Sequence, residues 1–155
     1  MVARDVMEAD LCVASPDDRL ADVARVLDEH PHSMLPVVDE NGRLVGVLSE
    51  LDLLGFVLPA SVEDVDSLRF LPESYRLRAL GQEESRDVRV GEVMQTENLL
   101  TVSEDEPIGQ VALMMVKGRR SHIMVVTEGE LVGQVNREAL VRELVHPSLG
   151  VGDSL

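Results

Sequence analysis

Apolar and polar positions along the chain switch between two periods, and the pattern occurs twice. Leu11 to Ala14 is a short apolar run expected to form a strand. After it, Leu20, Val23, Ala24 and Leu27 recur at steps of three and four, the spacing of a helix that packs one face on a sheet. Ser15 is expected to cap that helix, with Pro16 at its first position and Asp17 and Asp18 complementing its dipole, and the periodicity runs to about Glu29. Two β-rich runs follow, Met34 to Val38 and Leu44 to Leu48, joined through Glu40-Asn41-Gly42, where the Asn-Gly pair predicts a hairpin turn. A second helix is expected to start at Ser49.

The same order then returns. Leu99 to Val102 is the short run, Ser103 and Glu106 have capping-box spacing, and Ile108, Val111, Ala112 and Met115 mark a helix face ending near Lys117. Ile123 to Val126 and Leu131 to Val135 flank Glu128-Gly129, and a helix is expected from Asn136. Arg4-Asp5-Val6-Met7 is echoed by Gly91-Glu92-Val93-Met94, and Val37-Val38 by Val125-Val126, at an offset of 87 or 88 residues throughout. Such self-similarity indicates an internal repeat. Each unit reads β-α-β-β-α, which cannot cover both faces of its own sheet, so the two are expected to share one mixed α/β (α+β) module. The expected limits are residues 1–58 for the first repeat, 59–89 for a connector, 90–147 for the second repeat and 148–155 for a tail.

The connector is charged, weakly periodic and broken by Pro59, Pro72 and Gly81. The chain's aromatic residues, Phe56, Phe70 and Tyr75, fall in or beside it, which suits a segment that packs back onto the module or onto a partner; an ordered surface loop accounts for it equally well. Its arginines Arg76, Arg78, Arg86 and Arg89 could fold over a nucleotide, though the acidic residues among them suit a solvated surface equally well.

Composition narrows the classes. Of 155 residues, 45% are hydrophobic, which excludes composition-driven disorder, and with 2% aromatic the core must be aliphatic. A formal net charge of −15 opposes broad attraction to nucleic acid or anionic lipid, so neither is expected as a partner. Cys12 has no second cysteine to pair with and, lying in an apolar run, is expected buried. With no apolar run near the ~18 residues of a membrane helix and no signal-type stretch, a soluble cytoplasmic protein is expected. His30 and His32 without a nearby cysteine make a weak zinc signal.

The Val-Met near the start of each unit, Leu35-Pro36-Val37-Val38, and Gly46-Val47-Leu48-Ser49-Glu50-Leu51-Asp52 together resemble the CBS (cystathionine-β-synthase) domain family. The resemblance covers the chain except for the connector and the last residues. It implies a repeat pair associated with pseudo-twofold symmetry, adenosine-containing ligands in the clefts between repeats, and a Ser-x-x-Asp segment marking each pocket. It also implies a regulatory role and face-to-face homodimerisation.

Carried over residue by residue, the resemblance makes Ser49 and Asp52 the ribose and phosphate end of a pocket. A carboxylate can accept from both ribose hydroxyls, and a helix start beside a hydroxyl attracts phosphate. Ser-x-x-acid is equally a generic helix-capping pattern, and both readings stand at this stage. In the second repeat the segment is Gly133-Gln134-Val135-Asn136-Arg137-Glu138-Ala139. Asn136 can cap a helix, but Ala139 cannot bind a diol, so one competent pocket is expected. The resemblance places adenine against Leu100, Thr101 and Val102, and phosphate near Arg120 and His122, in the basic run Lys117-Gly118-Arg119-Arg120-Ser121-His122. The bland alternative for that run is that Lys117 complements a helix end and the arginines are solvated.

The leading function is therefore a regulatory module sensing an adenine nucleotide or adenosyl compound, with AMP, ADP, ATP or S-adenosylmethionine as candidate ligands and no required cofactor. It is expected to form a homodimer and to regulate a protein partner by population shift. The alternative is a structural or dimerisation module with unused pockets. No nucleophile with a paired base, metal constellation or phosphate loop is present, so an enzyme is not expected.

Overall fold

Helices and strands of the second repeat follow the predicted order, and those of the first do so from the helix at Leu20–Glu29 onward. In the computed structural model, which describes residues 1–30, 34–58 and 86–145, the first repeat contains α1 (Ala3–Val6), α2 (Leu20–Glu29), β1 (Leu35–Val38), β2 (Leu44–Leu48) and α3 (Glu50–Val57). A 3-10 turn at Val90–Glu92 then precedes β3 (Thr101–Val102), α4 (Ile108–Gly118), β4 (His122–Thr127), β5 (Glu130–Asn136) and α5 (Arg137–Leu144). The fold is thus mixed α+β. His32, Phe70, Tyr75, Arg76, Arg78 and the tail lie outside the described residues, as do Pro59, Pro72 and Gly81. Among the described residues no helix is long and apolar enough to cross a membrane.

The first helix starts later than its sequence suggests. Ser15 closes a turn: its N–H donates to Asp18 Oδ2 at 2.8 Å, its carbonyl accepts from Asp18 N–H at 3.1 Å, and its hydroxyl oxygen accepts from Asp17 N–H at 3.3 Å. The Pro16 and Asp18 carbonyls accept from Gly91 and Val90, each at 2.9 Å, and are thereby withheld from a helical ladder, so α2 begins at Leu20. The second copy repeats this. Ser103 O accepts from Glu106 N–H at 3.2 Å, the Glu104 and Glu106 carbonyls accept from Arg4 and Ala3 at 3.0 and 2.8 Å, and α4 begins at Ile108.

The expected strand at Leu11–Ala14 is likewise shorter. Only Ala14 pairs, in a parallel bridge to Val37, and its N–H donates to Pro36 O at 3.0 Å. Cys12, expected buried, is exposed, because this stretch never joins a ladder.

The chain divides into two compact units that do not follow the order of the sequence. Unit 1 comprises Met1–Cys12, Val38–Val45 and Glu97–Leu155, and unit 2 comprises Val13–Val37 and Gly46–Thr96. In unit 1, β3 runs parallel to β4 with Thr101 opposite Met124, and β4 pairs antiparallel with β5 with His122 opposite Asn136. A bulge between Val125 and Val126 interrupts the register. Beneath this sheet lie Val102, Ile108, Val111, Met115, Ile123, Val125, Val135 and Leu140, joined by Ala3 from the start of the chain, which is fully buried. Glu8 and Gln134 exchange two backbone bonds, at 2.8 and 2.9 Å, tying the same N-terminal segment to β5.

Unit 2 shows the reciprocal arrangement. Leu20, Val23 and Leu27 on α2, with Val37, Val47 and Leu48 from the strands, are buried, and Val90, the counterpart of Ala3, is fully buried as well. Val47 and Gln95 exchange backbone bonds at 3.0 and 2.9 Å, as Glu8 and Gln134 do in unit 1. The hairpins are held at their tips: Asp39 Oδ1 accepts from Asn41 and Arg43 N–H at 2.9 and 3.0 Å, and Gly42 adopts φ +77°, which an L side chain rarely takes. Within unit 1, Leu44 donates to Gly129 O at 3.2 Å and Leu131 to Gly42 O at 3.0 Å, so one hairpin tip pairs with the other.

Candidate functional site

β2 runs straight into α3 through Ser49, which is extended and half-buried and serves as the N-cap residue. Asp52, half-buried in the first turn, turns back on it. Its Oδ2 accepts from Ser49 N–H at 2.8 Å and from Ser49 Oγ–H at 3.0 Å, while Asp52 N–H donates to Ser49 O at 3.1 Å. Capping chemistry therefore accounts for the spacing of this pair. The same device recurs: Val2 N–H donates to Asp5 Oδ2 at 2.8 Å and Arg89 N–H to Glu92 Oε2 at 2.7 Å, as Ser15 N–H does to Asp18. The pair is distinguished by its hydroxyl, which adds a second bond and fixes the carboxylate at the helix entrance.

In the second repeat the entrance is built differently. Asn136 Oδ1 accepts from Ala139 N–H at 2.8 Å, a side-chain cap that satisfies one of the free amides at the start of α5. The helix keeps its cap, and the position of Asp52 is a methyl group.

Leu100, Thr101, Val102, Arg120 and His122 all belong to unit 1, whereas Ser49 and Asp52 belong to unit 2. The pairing of β3 with β4 brings the first group together: Leu100 O accepts from Met124 N–H at 3.1 Å, Thr101 is exposed and Val102 is buried. The basic run forms the end of α4. Arg119 takes a left-handed conformation, φ 50°, its N–H donates to Val116 O at 3.4 Å, and Arg120 N–H donates to Met115 O at 3.0 Å. Lys117 and Arg119 are exposed and Arg120 is half-buried. Cations in this place complement the helix carbonyl end.

His122 is half-buried at the entrance of β4, with Nδ1 at 2.9 Å from the Ser121 hydroxyl. Burial pushes its pKa below the ordinary 6.5; Glu138 opposes that shift, Arg137 adds to it and Glu8 opposes it. Of these neighbours, Glu8 was not legible in the sequence as a partner, because nothing local connects it to β4. Arg137 and Glu138 follow from the hairpin register that sets Asn136 opposite His122. Among the described residues no group of three or more His, Cys, Asp or Glu side chains is placed to hold a metal, and His30 is exposed.

A profile of the CBS domain family matches residues 3–59 and again 90–146. The uncharacterized protein MJ1426 of Methanocaldococcus jannaschii is 29% identical over 162 residues, an alignment spanning 94% of this chain and 92% of that one. The chain spans less than half of three further relatives from that archaeon, from 23% of an L-aspartate semialdehyde sulfurtransferase to 48% of the uncharacterized protein MJ0188. Among solved structures, CBSX2 in complex with AMP superposes with a TM-score of 0.70 at 25% identity, covering 95% of this chain and 98% of that one. The CBS domain pair of protein MJ0100, in complex with 5′-methylthioadenosine and S-adenosyl-L-methionine, has the same fold, with a TM-score of 0.67 at 24% identity over 95% and 98% of the two chains.

Proposed function

Since the chain belongs to the CBS domain family, we propose that it is a non-catalytic regulatory module that binds an adenine nucleotide or adenosyl compound and changes its association with a protein partner when it does. The observation that carries this reading is the Asp52 carboxylate. Ser49 holds Oδ2 through two bonds and so fixes the side chain at the entrance of α3. Oδ1 is the proposed acceptor for a ribose hydroxyl, with Leu100, Thr101 and Val102 proposed to receive the base and Arg120 and His122 the tail of the ligand. The likeness to CBSX2, which covers nearly the whole of both chains, supports an adenosine-containing ligand. Ala139 at the position of Asp52 supports one competent pocket per chain.

A specific observation also favours association of two copies. On α3, Leu51 and Leu54 are 77% and 58% exposed with Leu58 just beyond, and on α5 Val141 and Leu144 are each close to half exposed. Apolar stripes at this spacing suit helix packing, and we assign them to a homodimer. If the pockets are unused, dimerisation is the remaining role.

Titration calorimetry with AMP, ADP, ATP, S-adenosylmethionine and NAD tests the reading, using the whole chain and Asp52→Ala. One site per chain, lost in Asp52→Ala while circular dichroism shows that variant folded, is the expected result. A ligand at 100 times its Kd should stabilise the native chain by about 2.7 kcal/mol. No binding of any of the five, or two equivalent sites, overturns it. Sedimentation of Leu51→Glu tests the dimer, which should dissociate.

A further inference from the structure

The two copies of the first repeat helix agree on one face and differ on the other. The buried positions of α4, Ile108, Val111 and Met115, match Leu20, Val23 and Leu27 of α2 at the repeat offset, so each helix offers its own unit the same face. The positions turned to solvent do not match. Asp22, Arg25, Asp28 and Glu29, all exposed on α2, are replaced on α4 by Gln110, Leu113, Val116 and Lys117, also exposed. In a chain with 29 Asp and Glu residues, α4 has none. Leu113 and Val116, one turn apart, are 45% and 76% exposed. Packing within the unit does not call for apolar side chains there, since the first copy of the helix carries charges at both places.

The ends of this stripe indicate what would cover it. Gly109 lies one turn before Leu113, and a Cβ there would meet nothing within 4 Å, so a bulky side chain of a partner can come close to the backbone. Beyond Val116, Lys117 and Arg119 are exposed. A helix carbonyl end has the equivalent of about half a negative charge, so the two cations leave an excess of positive charge beside the apolar stripe. A second copy of α4 has no carboxylate to set against that excess. A helix with an apolar stripe and acidic margins has.

We propose that the outward face of α4 is a docking surface for an acidic amphipathic helix of a partner protein. Leu113 and Val116 form the apolar centre of the contact, and Lys117 and Arg119 meet carboxylates at its rim, where charge sets rate and orientation more than strength. The surface deepens the regulatory reading above, on which it rests for the existence of a partner. Its geometry needs α4 and its C-terminal end alone. The matching face of α2, with its charges, is no such surface.

Fluorescence anisotropy of the full chain tests this with a labelled helical peptide that has Leu at i, i+3, i+4 and i+7 and Glu and Ala elsewhere. A scrambled peptide of the same composition and one with Lys in place of Glu are the controls. The acidic amphipathic peptide should bind about 10-fold or more tighter than either at low salt. Leu113→Gln combined with Val116→Gln should weaken it about 10-fold, with an unchanged circular dichroism spectrum. Lys117→Gln combined with Arg119→Gln should weaken it and flatten its salt dependence, whereas Arg25→Gln combined with Asp28→Asn on α2 should leave it as it was. A peptide that binds no tighter than its controls, or that ignores the α4 variants, overturns the docking surface. A halved sedimentation mass of the Leu113→Gln, Val116→Gln protein assigns the face to a second copy and overturns it as well. The assay contains no nucleotide, so each of these failures is distinct from a failure of the pocket in calorimetry.

Discussion

The Met94 side chain lies against the backbone of Gly46, so closely that a Cβ on that glycine would come within 2.6 Å of Met94 Sδ and 3.0 Å of Gln95 O. The relationship is repeated between Met7 and Gly133, where the corresponding distances are 2.5 Å to Met7 Sδ and 3.1 Å to Glu8 O. In each case a methionine near the start of one repeat fills the space that a side chain on the second hairpin strand of the other repeat would take. Gly46→Ala should therefore cost about 1–3 kcal/mol by overpacking. Because the residues touch, Met94→Ala should cost less in the Gly46→Ala background than in the wild type, a coupling of about 0.5–3 kcal/mol. Urea unfolding of the four proteins of the cycle measures it, and strict additivity would refute the contact.

The composition of the two units predicts what a cut through the chain would do. A fragment of residues 90–147 retains one complete repeat by sequence but lacks Ala3, Met7 and the Glu8 backbone pairing to Gln134. That fragment should melt without a cooperative transition, and adding a peptide of residues 1–12 should restore one whose midpoint rises with the logarithm of the peptide concentration. Far-UV circular dichroism distinguishes this from a fragment that folds alone.

His122 gives the fold a pH dependence with a defined sign. Its folded pKa lies below the ordinary 6.5, so the unfolded chain takes up the proton first. Stability contributed by the neutral ring is complete above about 6.5 and declines as pH falls toward the depressed folded value. His122→Gln should reduce the loss of Tm between pH 7 and pH 5 relative to wild type. Carboxylates titrate in both proteins, so the difference between the two curves isolates the imidazole. A pair of parallel curves would show that His122 is not involved.

The two helix entrances should respond differently to substitution. Asn136→Ala removes the only bond that its side chain makes to the Ala139 amide and should destabilise by about 1 kcal/mol. Asp52→Asn keeps the shape of its side chain and weakens a charge-assisted cap, with a loss of about 0.5–2 kcal/mol. Denaturant titration gives both values. If Asp52→Asn proves more stable than wild type, the carboxylate is strained by its position and is retained for something other than capping.

Much of this was legible before any coordinates. The hairpins, the buried faces of α2 and α4 and the cap at Asn136 follow from period, turn and cap chemistry, because each depends on residues a few positions apart. Misplaced features depend on distant partners. Ser15-Pro16-Asp17-Asp18 has every local mark of a helix start, yet Val90 and Gly91 claim the carbonyls that the helix would need. Cys12 sits in an apolar run, but no neighbouring strand covers it. Likewise Gly129 marks a turn in any reading, while the guanidinium of Arg43, which donates to Glu128 O at 3.2 Å and occupies the space beside that glycine, could be found only from the paired tips. For the candidate site, the sequence indicated which entrance carries a carboxylate. It also offered the capping pattern, in which Ser49 occupies one of those oxygens, and the structure shows that bond formed.

The placement of Met1–Cys12 in unit 1 has a consequence for synthesis. These residues leave the ribosome well before Gln134, whose backbone they pair with, and at about 5–20 residues per second the delay is ~6–25 s. During that interval Ala3 and Met7 have no groove to enter, and closing so long a loop adds an entropic barrier that grows only slowly with its length. Completion of unit 1 therefore waits for β5 and for Leu140 of α5 behind it, however early the first repeat has been made.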